Sequence, residues 1–372
     1  MPSGSDERIS SLRQQDSTYN EMFRKWSLDK ENHFGFYKRS GETENTYQAG
    51  EGFVGQYPAA DEADVLHRTA RLTAFVLCIY SAMQLGILIA FSGYPTPIMG
   101  MYICKEGFFI GHGYLPVVMT YAVNILTRLI PIAYLIAKLK APLRLMLPLK
   151  ITNKPLFRNS IFFAMIAFGV FFLILDCEKF LLGRGHDWEH IKLVDDSQRV
   201  PILILYTLII PVISEIINRG IFLNLFRQYG DGFALLITSI LSSFFSPEGH
   251  ILFVFCYSLL IGFFALRTGS VITSVIMRIV ISSSYYSVTM ARVLMDDVFP
   301  KGAMAVITIF IGVGVVATIR FVSKYSNKIG MPMNNMFLSD TEKILMIFTS
   351  PVMIIWLMIY IVYIVMSRFI ML

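Results

Sequence analysis

Apolar runs of roughly 20 residues recur along this chain, which is the length that crosses a bilayer as a helix. Short polar segments separate them. The pattern predicts helices over 72–92, 114–137, 159–182, 200–226, 232–246, 251–267, 270–290, 302–323 and 343–367. That is an all-α fold, a polytopic transmembrane bundle of about nine helices. The 232–246 and 251–267 segments are short. Phe245-Ser246-Pro247-Glu248-Gly249 separates them with a helix breaker and polar groups, so they read either as two spans or as a broken, re-entrant pair.

Residues 1–66 contain no long apolar run and read as a polar extension, in part disordered. Within it Tyr19, Phe23 and Trp26 fall at helical spacing beside Arg24, Lys25 and Lys30. Two readings stay open: a helix lying flat on the membrane surface, or a loose tail with scattered aromatics. The N-terminus is acid-rich and lacks the short apolar run of a signal peptide. The chain therefore divides into an N-terminal extension (1–70), a first set of membrane helices (71–199), a core (200–290) and a C-terminal set (291–372).

Charge orients these helices. The 138–158 loop carries Lys138, Lys140, Arg144, Lys150, Lys154 and Arg158 and no acid, which marks it as cytoplasmic. The 183–199 loop mixes Asp187, Glu189, Asp195 and Asp196 with Arg184, Lys192 and Arg199, and reads as outside. Alternation then places Arg227, Arg267 and the Arg320, Lys324, Lys328 cluster inside. The expectation is a multi-pass protein of the cell membrane with its N-terminus in the cytoplasm and its C-terminus outside.

Composition agrees and narrows the function classes. The chain of 372 residues is 55% hydrophobic and 16% charged, whereas soluble domains are about 25% charged. The net charge of +6 gives no case for nucleic acid, because residues 1–71 hold 9 basic and 12 acidic side chains and residues 72–372 hold 23 and 14. The positive excess belongs to the membrane part. Cys78, Cys104, Cys177 and Cys256 show no metal-ligand spacing. Cys104 and Cys177 could meet on the outer face, but independent thiols are the simpler reading. His186, Asp187, Glu189 and His190 resemble a metal cluster by count, yet a solvated loop explains them, and neither metal nor cofactor is expected.

The stretch that carries chemistry is Ser214–Gly220, S-E-I-I-N-R-G. Glu215 and Arg219 stand one helical turn apart on one face, and ionisable groups at membrane depth usually line a bundle interior or a wet cavity. The plainer reading has this helix already at the headgroups, with both groups solvated. A short helix and then Leu266-Arg267-Thr268-Gly269-Ser270, opening another helix, follow it. This order resembles the core of the CPBP (Abi) family of intramembrane proteases, which are type II CAAX prenyl endopeptidase-like. That family's motifs are E-E-x-x-x-R, usually followed by Gly, then F-x-x-x-H, then H-x-x-x-N after an R-T-G-S-like turn. Glu215, Arg219, Gly220 and Arg267–Ser270 match.

The departures fall on the reacting groups. The resemblance implies a water-activating Glu where Ser214 stands, a His at Ser246 (with Ser242 in place of Phe), and His and Asn at Arg278 and Ser282. Hydrolysis needs a base for water and donors for the oxyanion. Ser214 has no partner base, and Arg278 stays protonated where His would shuttle a proton. A rescued site would use Glu215 as base with His250, four residues after Ser246. One residue along a helix turns the side chain by about 100°, and Pro247 and Gly249 interrupt the turn.

Arg128, Glu215, Arg219 and Arg278 all lie within predicted spans. Arg128 sits ten residues before Lys138, about 15 Å at the helical rise. If these helices converge, Arg128, Arg219 and Arg278 outnumber Glu215 and favour an anionic ligand, such as a lipid phosphate or a peptide carboxylate. Otherwise Arg128 and Arg278 snorkel or bond to backbone carbonyls. Asn124, Pro131, Pro201 and Pro211 read as kink and packing devices. The expected function is that of a catalytically impaired, CAAX-protease-like membrane protein. It would bind a peptide, a lipidated protein or an anionic lipid within the bilayer, alone or with a membrane-protein partner. The alternatives are an active endopeptidase using Glu215 and His250, and a transporter component, for which no duplicated half is visible.

Overall fold

The computed structural model describes residues 17–29, 31–36, 47–48, 52–53, 58–92, 100–104, 106–165, 188–244, 250–294, 308–309, 312–313, 315–316, 319–320, 323 and 336–370. Its main elements are helices: α1 (Ser17–Ser27), α2 (Pro58–Phe91), α3 (Leu115–Leu139), α4 (Asp196–Tyr229), α5 (Asp231–Phe244), α6 (Ile251–Thr268), α7 (Val271–Leu294), α8 (Asp340–Phe348) and α9 (Pro351–Ile370). Residues 154–165 are also helical. Two short hairpins accompany them, β1 (Tyr47–Gln48) with β2 (Gly52–Phe53), and β3 (Tyr102–Ile103) with β4 (Phe109–Ile110). Among the described residues, five helices are long and apolar enough to cross a membrane, or six if the bent pair α8–α9 counts as one span. Their outer faces carry large apolar side chains, among them Phe75, Ile89, Leu126, Ile130, Ile355 and Met358, as lipid contact requires. The protein is a multi-pass, all-α membrane protein.

Three predicted boundaries move, each for a local reason. The first span starts at Pro58, not near residue 72. Proline suits the first helical position, and Glu62, Leu66, Thr69, Ala70, Thr73 and Leu77, at helical spacing, are all fully buried. The polar turns of α2 thus pack on protein rather than lipid. The expected span at 343–367 is broken: α8 and α9 meet at 64°. Pro351 cannot donate to the preceding turn, and Ser350 Oγ instead accepts from Met353 N–H at 3.3 Å. Finally, α5 holds 14 residues, about 21 Å at the helical rise and short of a full span. The helix expected at 159–182 lies largely outside the described residues, as do Asp296, Asp297 and much of 302–323.

The N-terminal extension is tied to the bundle within its described residues. Trp26 is 6% exposed, and its indole N–H donates to Leu139 O at 3.3 Å. Tyr19 O–H reaches Leu145 O and Asn224 Oδ1. Gln228 accepts from Phe36 N–H at 2.8 Å and donates to Phe34 O at 2.9 Å, and the Phe36 ring stacks on Tyr229. The aromatic stripe of α1 therefore faces protein, in place of the membrane surface or the loose tail that the sequence left open.

A buried ion pair closes the same end. Lys343 Nζ lies 3.4 Å from Glu62 Oε1, both side chains fully buried, and donates to Tyr229 O at 2.7 Å. Glu62 Oε2 accepts the N–H groups of Phe337 and Leu338. One carboxylate and one ammonium thus join α2, α4 and α8. Lys343→Met leaves the carboxylate buried without its cation and is expected to cost about 3–5 kcal/mol. Thermal unfolding of the detergent-solubilised protein measures this, and the double variant Glu62→Gln/Lys343→Met recovers part of the loss.

Candidate functional site

Helix α4 is the centre of the molecule, and two π-helical turns shape it. The first, Leu205–Ile209, precedes Pro211. The proline ring crowds the carbonyl four residues back, and the wider turn relieves this, with Ile210 N–H bonding Leu205 O. The second, Ile216–Phe222, follows Glu215 directly and ends with Leu223 N–H on Asn218 O. Such turns leave carbonyls with poorer partners and concentrate at functional positions. Here Asn224 Nδ2 satisfies them, donating to Gly220 O at 2.6 Å, Arg219 O at 3.3 Å and Met146 O at 3.2 Å. Gly220 lets this segment approach the 143–147 turn, since a Cβ there would stand 2.5 Å from Leu147 Cδ2 and 3.1 Å from Met146 O.

One face of α4 turns to α5, α6 and α7. Arg219 is fully buried, and its guanidinium donates to Thr238 Oγ1 at 2.7 Å, Ser258 O at 2.6 Å and Ser239 Oγ at 3.5 Å. Glu215 is 2% exposed, so the solvated reading does not hold for it. Its Oε2 stands 3.7 Å from Arg219 Nε, an ion pair without a hydrogen bond. Its carboxylate also meets Ser274 and the charge of Arg278. Arg278 lies 4.2 Å above the Tyr257 ring centroid, a cation–π contact. Ser242 Oγ donates to Ser258 Oγ at 2.6 Å. Ser282 is buried nearby on α7.

The opposite face of α4 turns to α2 and α3. A cleft of about 30 Å³ opens there, and its lining includes Tyr80, Arg128, Ile132, Ser214, Asn218 and Phe222. Ser214 and Glu215, neighbours in sequence, thus serve different faces. The expected convergence of three arginines is divided: Arg219 and Arg278 share Glu215, whereas Arg128 stands on the cleft side. Arg128 Nη1 donates to Asn124 O at 2.8 Å and Asn124 Oδ1 at 3.2 Å. Asn124 is therefore more than a kink device, since its amide also donates to Gly107 O.

His250 stands just before α6 and is 2% exposed. Its ring meets Phe253 and Tyr285 edge-on. Ser246 lies outside the described residues, with Phe245, Pro247, Glu248 and Gly249. The R-T-G-S turn is structural. Gly269 adopts φ +67° at the end of α6, a conformation that favours glycine, while Ser270 Oγ donates to Leu149 O and Thr152 N–H to Thr268 O.

The other end of the bundle holds a pair that the sequence reading missed. His190 is only partly exposed, and its Nδ1 lies 2.9 Å from Oε1 of the fully buried Glu106. The Glu106 backbone oxygen accepts from Tyr206 O–H at 3.1 Å. His190 is thus no solvated loop residue, while His186 and Asp187 lie outside the described residues. A lone Glu in the β3–β4 turn carries no periodic signal by which to find it. Burial pushes the neighbouring Cys104 thiol well above its usual range. Cys177 lies outside the described residues. Among the described residues no group of three or more His, Cys, Asp or Glu is placed to hold a metal ion.

A family model described as type II CAAX prenyl endopeptidase Rce1-like matches residues 196–284, from the start of α4 into α7. The core of this chain is CAAX-protease-like. The match falls on nearly the stretch where the sequence motifs place the resemblance. No curated protein and no solved structure matches the chain. The matched stretch contains Glu215, Arg219, Gly220 and the Arg267–Ser270 turn, the residues on which the sequence resemblance rests. Ser214, Arg278 and Ser282 are the departures whose placement is described.

Gly262 on α6 tests the packing of this interior. A Cβ there would stand 2.4 Å from Leu235 Cδ1 and 3.0 Å from Arg219 Nη1. Gly262→Ala is expected to displace the guanidinium and cost about 1–3 kcal/mol, read as a lower melting temperature. Arg219→Lys, which cannot present the same fork of donors, lowers it as well.

Proposed function

We propose that this CAAX-protease-like membrane protein is a catalytically impaired member of its kind that acts by binding. The observation that carries the reading is the engagement of Glu215. The carboxylate on which the resemblance rests is 2% exposed, its Oε2 lies 3.7 Å from Arg219 Nε, and it feels the charge of Arg278. A general base needs to be within hydrogen-bond reach of the water it activates, and this carboxylate is buried beside a permanent cation. The position that would supply the base is Ser214, on the other face of α4. A permanent cation, Arg278, stands where an imidazole would move a proton. What remains is a charged interior that fixes the bundle, and around it an outer face open to a peptide, a lipidated protein or an anionic lipid. In this reading the basic 138–158 loop and the N-terminus face the cytoplasm and the bundle lies in the cell membrane.

The purified protein, reconstituted in vesicles, is incubated with farnesylated and unmodified C-terminal peptides, and the products are read by mass spectrometry. No cleavage above empty vesicles is expected. Turnover that Glu215→Gln or His250→Ala abolishes would overturn the impaired reading and establish an endopeptidase using those two residues.

A further inference from the structure

The segment between α3 and the helix over 154–165 concentrates positive charge at one end of the bundle. Residues 138–158 hold Lys138, Lys140, Arg144, Lys150, Lys154 and Arg158 and no acid, and all six cations are exposed. Lys140 stands 3.9 Å from Glu31 of the N-terminal extension and belongs to that contact. Arg144, Lys154 and Arg158 have no acidic partner among the described residues. The backbone that carries this charge is pinned to the turn between α6 and α7. Ser270 Oγ donates to Leu149 O at 2.9 Å, Val271 N–H to Pro148 O at 2.9 Å and Thr152 N–H to Thr268 O at 3.0 Å. Asn153 Oδ1 then accepts from Leu156 N–H at 3.1 Å and caps the following helix.

That helix has two faces. Leu156, Ser160 and Ala164 are buried, with Leu156 and Ala164 packed among side chains of α4, α6 and α7. Lys154, Arg158 and Phe162 recur at the same four-residue spacing and are exposed, so they share the outer face. Phe162 is 51% exposed, and a phenylalanine open to this degree on the outside of a membrane bundle meets acyl chains. The cations one and two turns before it, about 6 and 12 Å at the helical rise, then stand at head-group level. Leu143 and Leu149, 59% and 60% exposed, interleave with the cations of the connecting segment. Exposed leucines among cations suit the boundary between acyl chains and head groups.

We propose that this surface binds anionic phospholipid. The phosphates pair with Arg144, Lys150, Lys154 and Arg158, and Leu143 and Leu149 enter the acyl boundary. An acidic protein would match the charge, but the cationic face of the helix runs without a break into Phe162, and the two leucines are buried only by lipid. The proposal rests on the reading of the protein as a binder, and it narrows the ligand to one class and adds the site.

The test uses the full-length protein in neutral detergent, with phosphatidylglycerol, phosphatidylcholine, glycerol phosphate and polyglutamate as probes. Native mass spectrometry counts the bound lipids. Phosphatidylglycerol is expected to bind at least about tenfold more tightly than phosphatidylcholine, as several cations at one anionic surface require. The triple variant Lys150→Gln/Lys154→Gln/Arg158→Gln brings the two lipids to within about twofold and leaves the melting temperature unchanged, since all three side chains are exposed. Lys25→Gln, an exposed cation of α1, leaves the preference intact. Leu149→Trp fluorescence is quenched by brominated phosphatidylglycerol. The proposal is overturned if the triple variant keeps the preference, if Lys25→Gln lowers it as much, or if Leu149→Trp is not quenched. Displacement of the lipid by glycerol phosphate or polyglutamate overturns it as well, because a free phosphate or an acidic protein would then be the ligand. Peptide turnover in the vesicle assay would overturn the impaired reading and leave the lipid preference unchanged, so the two failures are distinguishable.

Discussion

The structure depends on a single fully buried guanidinium. Arg219 belongs to α4 but spends its hydrogen bonds on α5 and α6, at Thr238, Ser239 and the Ser258 carbonyl. Charge-assisted bonds of this kind are among the stronger ones a protein makes. In a low-dielectric interior the cost of leaving them unmade is larger still. Gly262 is glycine because the guanidinium and Leu235 occupy the space that a Cβ would take. The small hydroxyl side chains around it follow from the same need, as acceptors that fit between closely packed helices. A helix of 14 residues, α5, is held within the bundle by these contacts although it is too short to cross it.

That constraint explains why α4 departs from regular geometry. It must aim Glu215 and Arg219 at α5–α7 while showing Ser214 and Asn218 to α2 and α3. The π turn after Glu215 widens the helix where the two tasks separate, and Asn224 satisfies the carbonyls that the widening disturbs. The Glu215–Arg219 pair is a weak ion pair by geometry, at 3.7 Å and without a hydrogen bond. The guanidinium is positioned by α5 and α6, and the carboxylate is positioned between it and Arg278. The pair is a consequence of helix packing more than its cause.

Much of this was readable from the chain. Apolar run length found the spans that the described residues contain, because about 20 consecutive apolar residues leave a strong signal. Glu215, Arg219 and the Arg267–Ser270 turn were found because charge at membrane depth and glycine at a helix end are costly elsewhere. What escaped notice had no period to betray it. Glu62 and Lys343 are 281 positions apart and look like ordinary surface charges, yet they meet in a dry pocket. Glu106 is a single acid in a tight turn, and only the fold supplies His190. The aromatic stripe of α1 was visible, but its partner could not be, since a stripe that suits a membrane surface equally suits Leu139 and Tyr229. The division of Arg128 from Arg219 and Arg278 needed the rotation of α4, which the π turns make unreadable from a 3.6-residue count.

The substitutions at motif positions make one electrostatic argument when taken together. In the pattern the core resembles, a glutamate would stand at Ser214 and a histidine at Arg278, so on that reading one position lacks a negative charge and the other carries a fixed positive one. Both changes move the interior in the same direction, away from groups that exchange protons and toward charge that is permanent. The Glu215 side of α4 absorbs its share, since one carboxylate lies between two cations and Tyr257 offers a ring face to Arg278. On the cleft side Arg128 lies 6.0 Å from the Tyr80 ring centroid and donates to Asn124, and Ser214 shares the lining with it. Selection for stability alone would replace Arg128 with an apolar residue, as buried ion pairs can be replaced at little cost. Among the described residues, a cation kept 6% exposed among mostly apolar side chains is held by the neutral oxygens of Asn124 and the ring face of Tyr80.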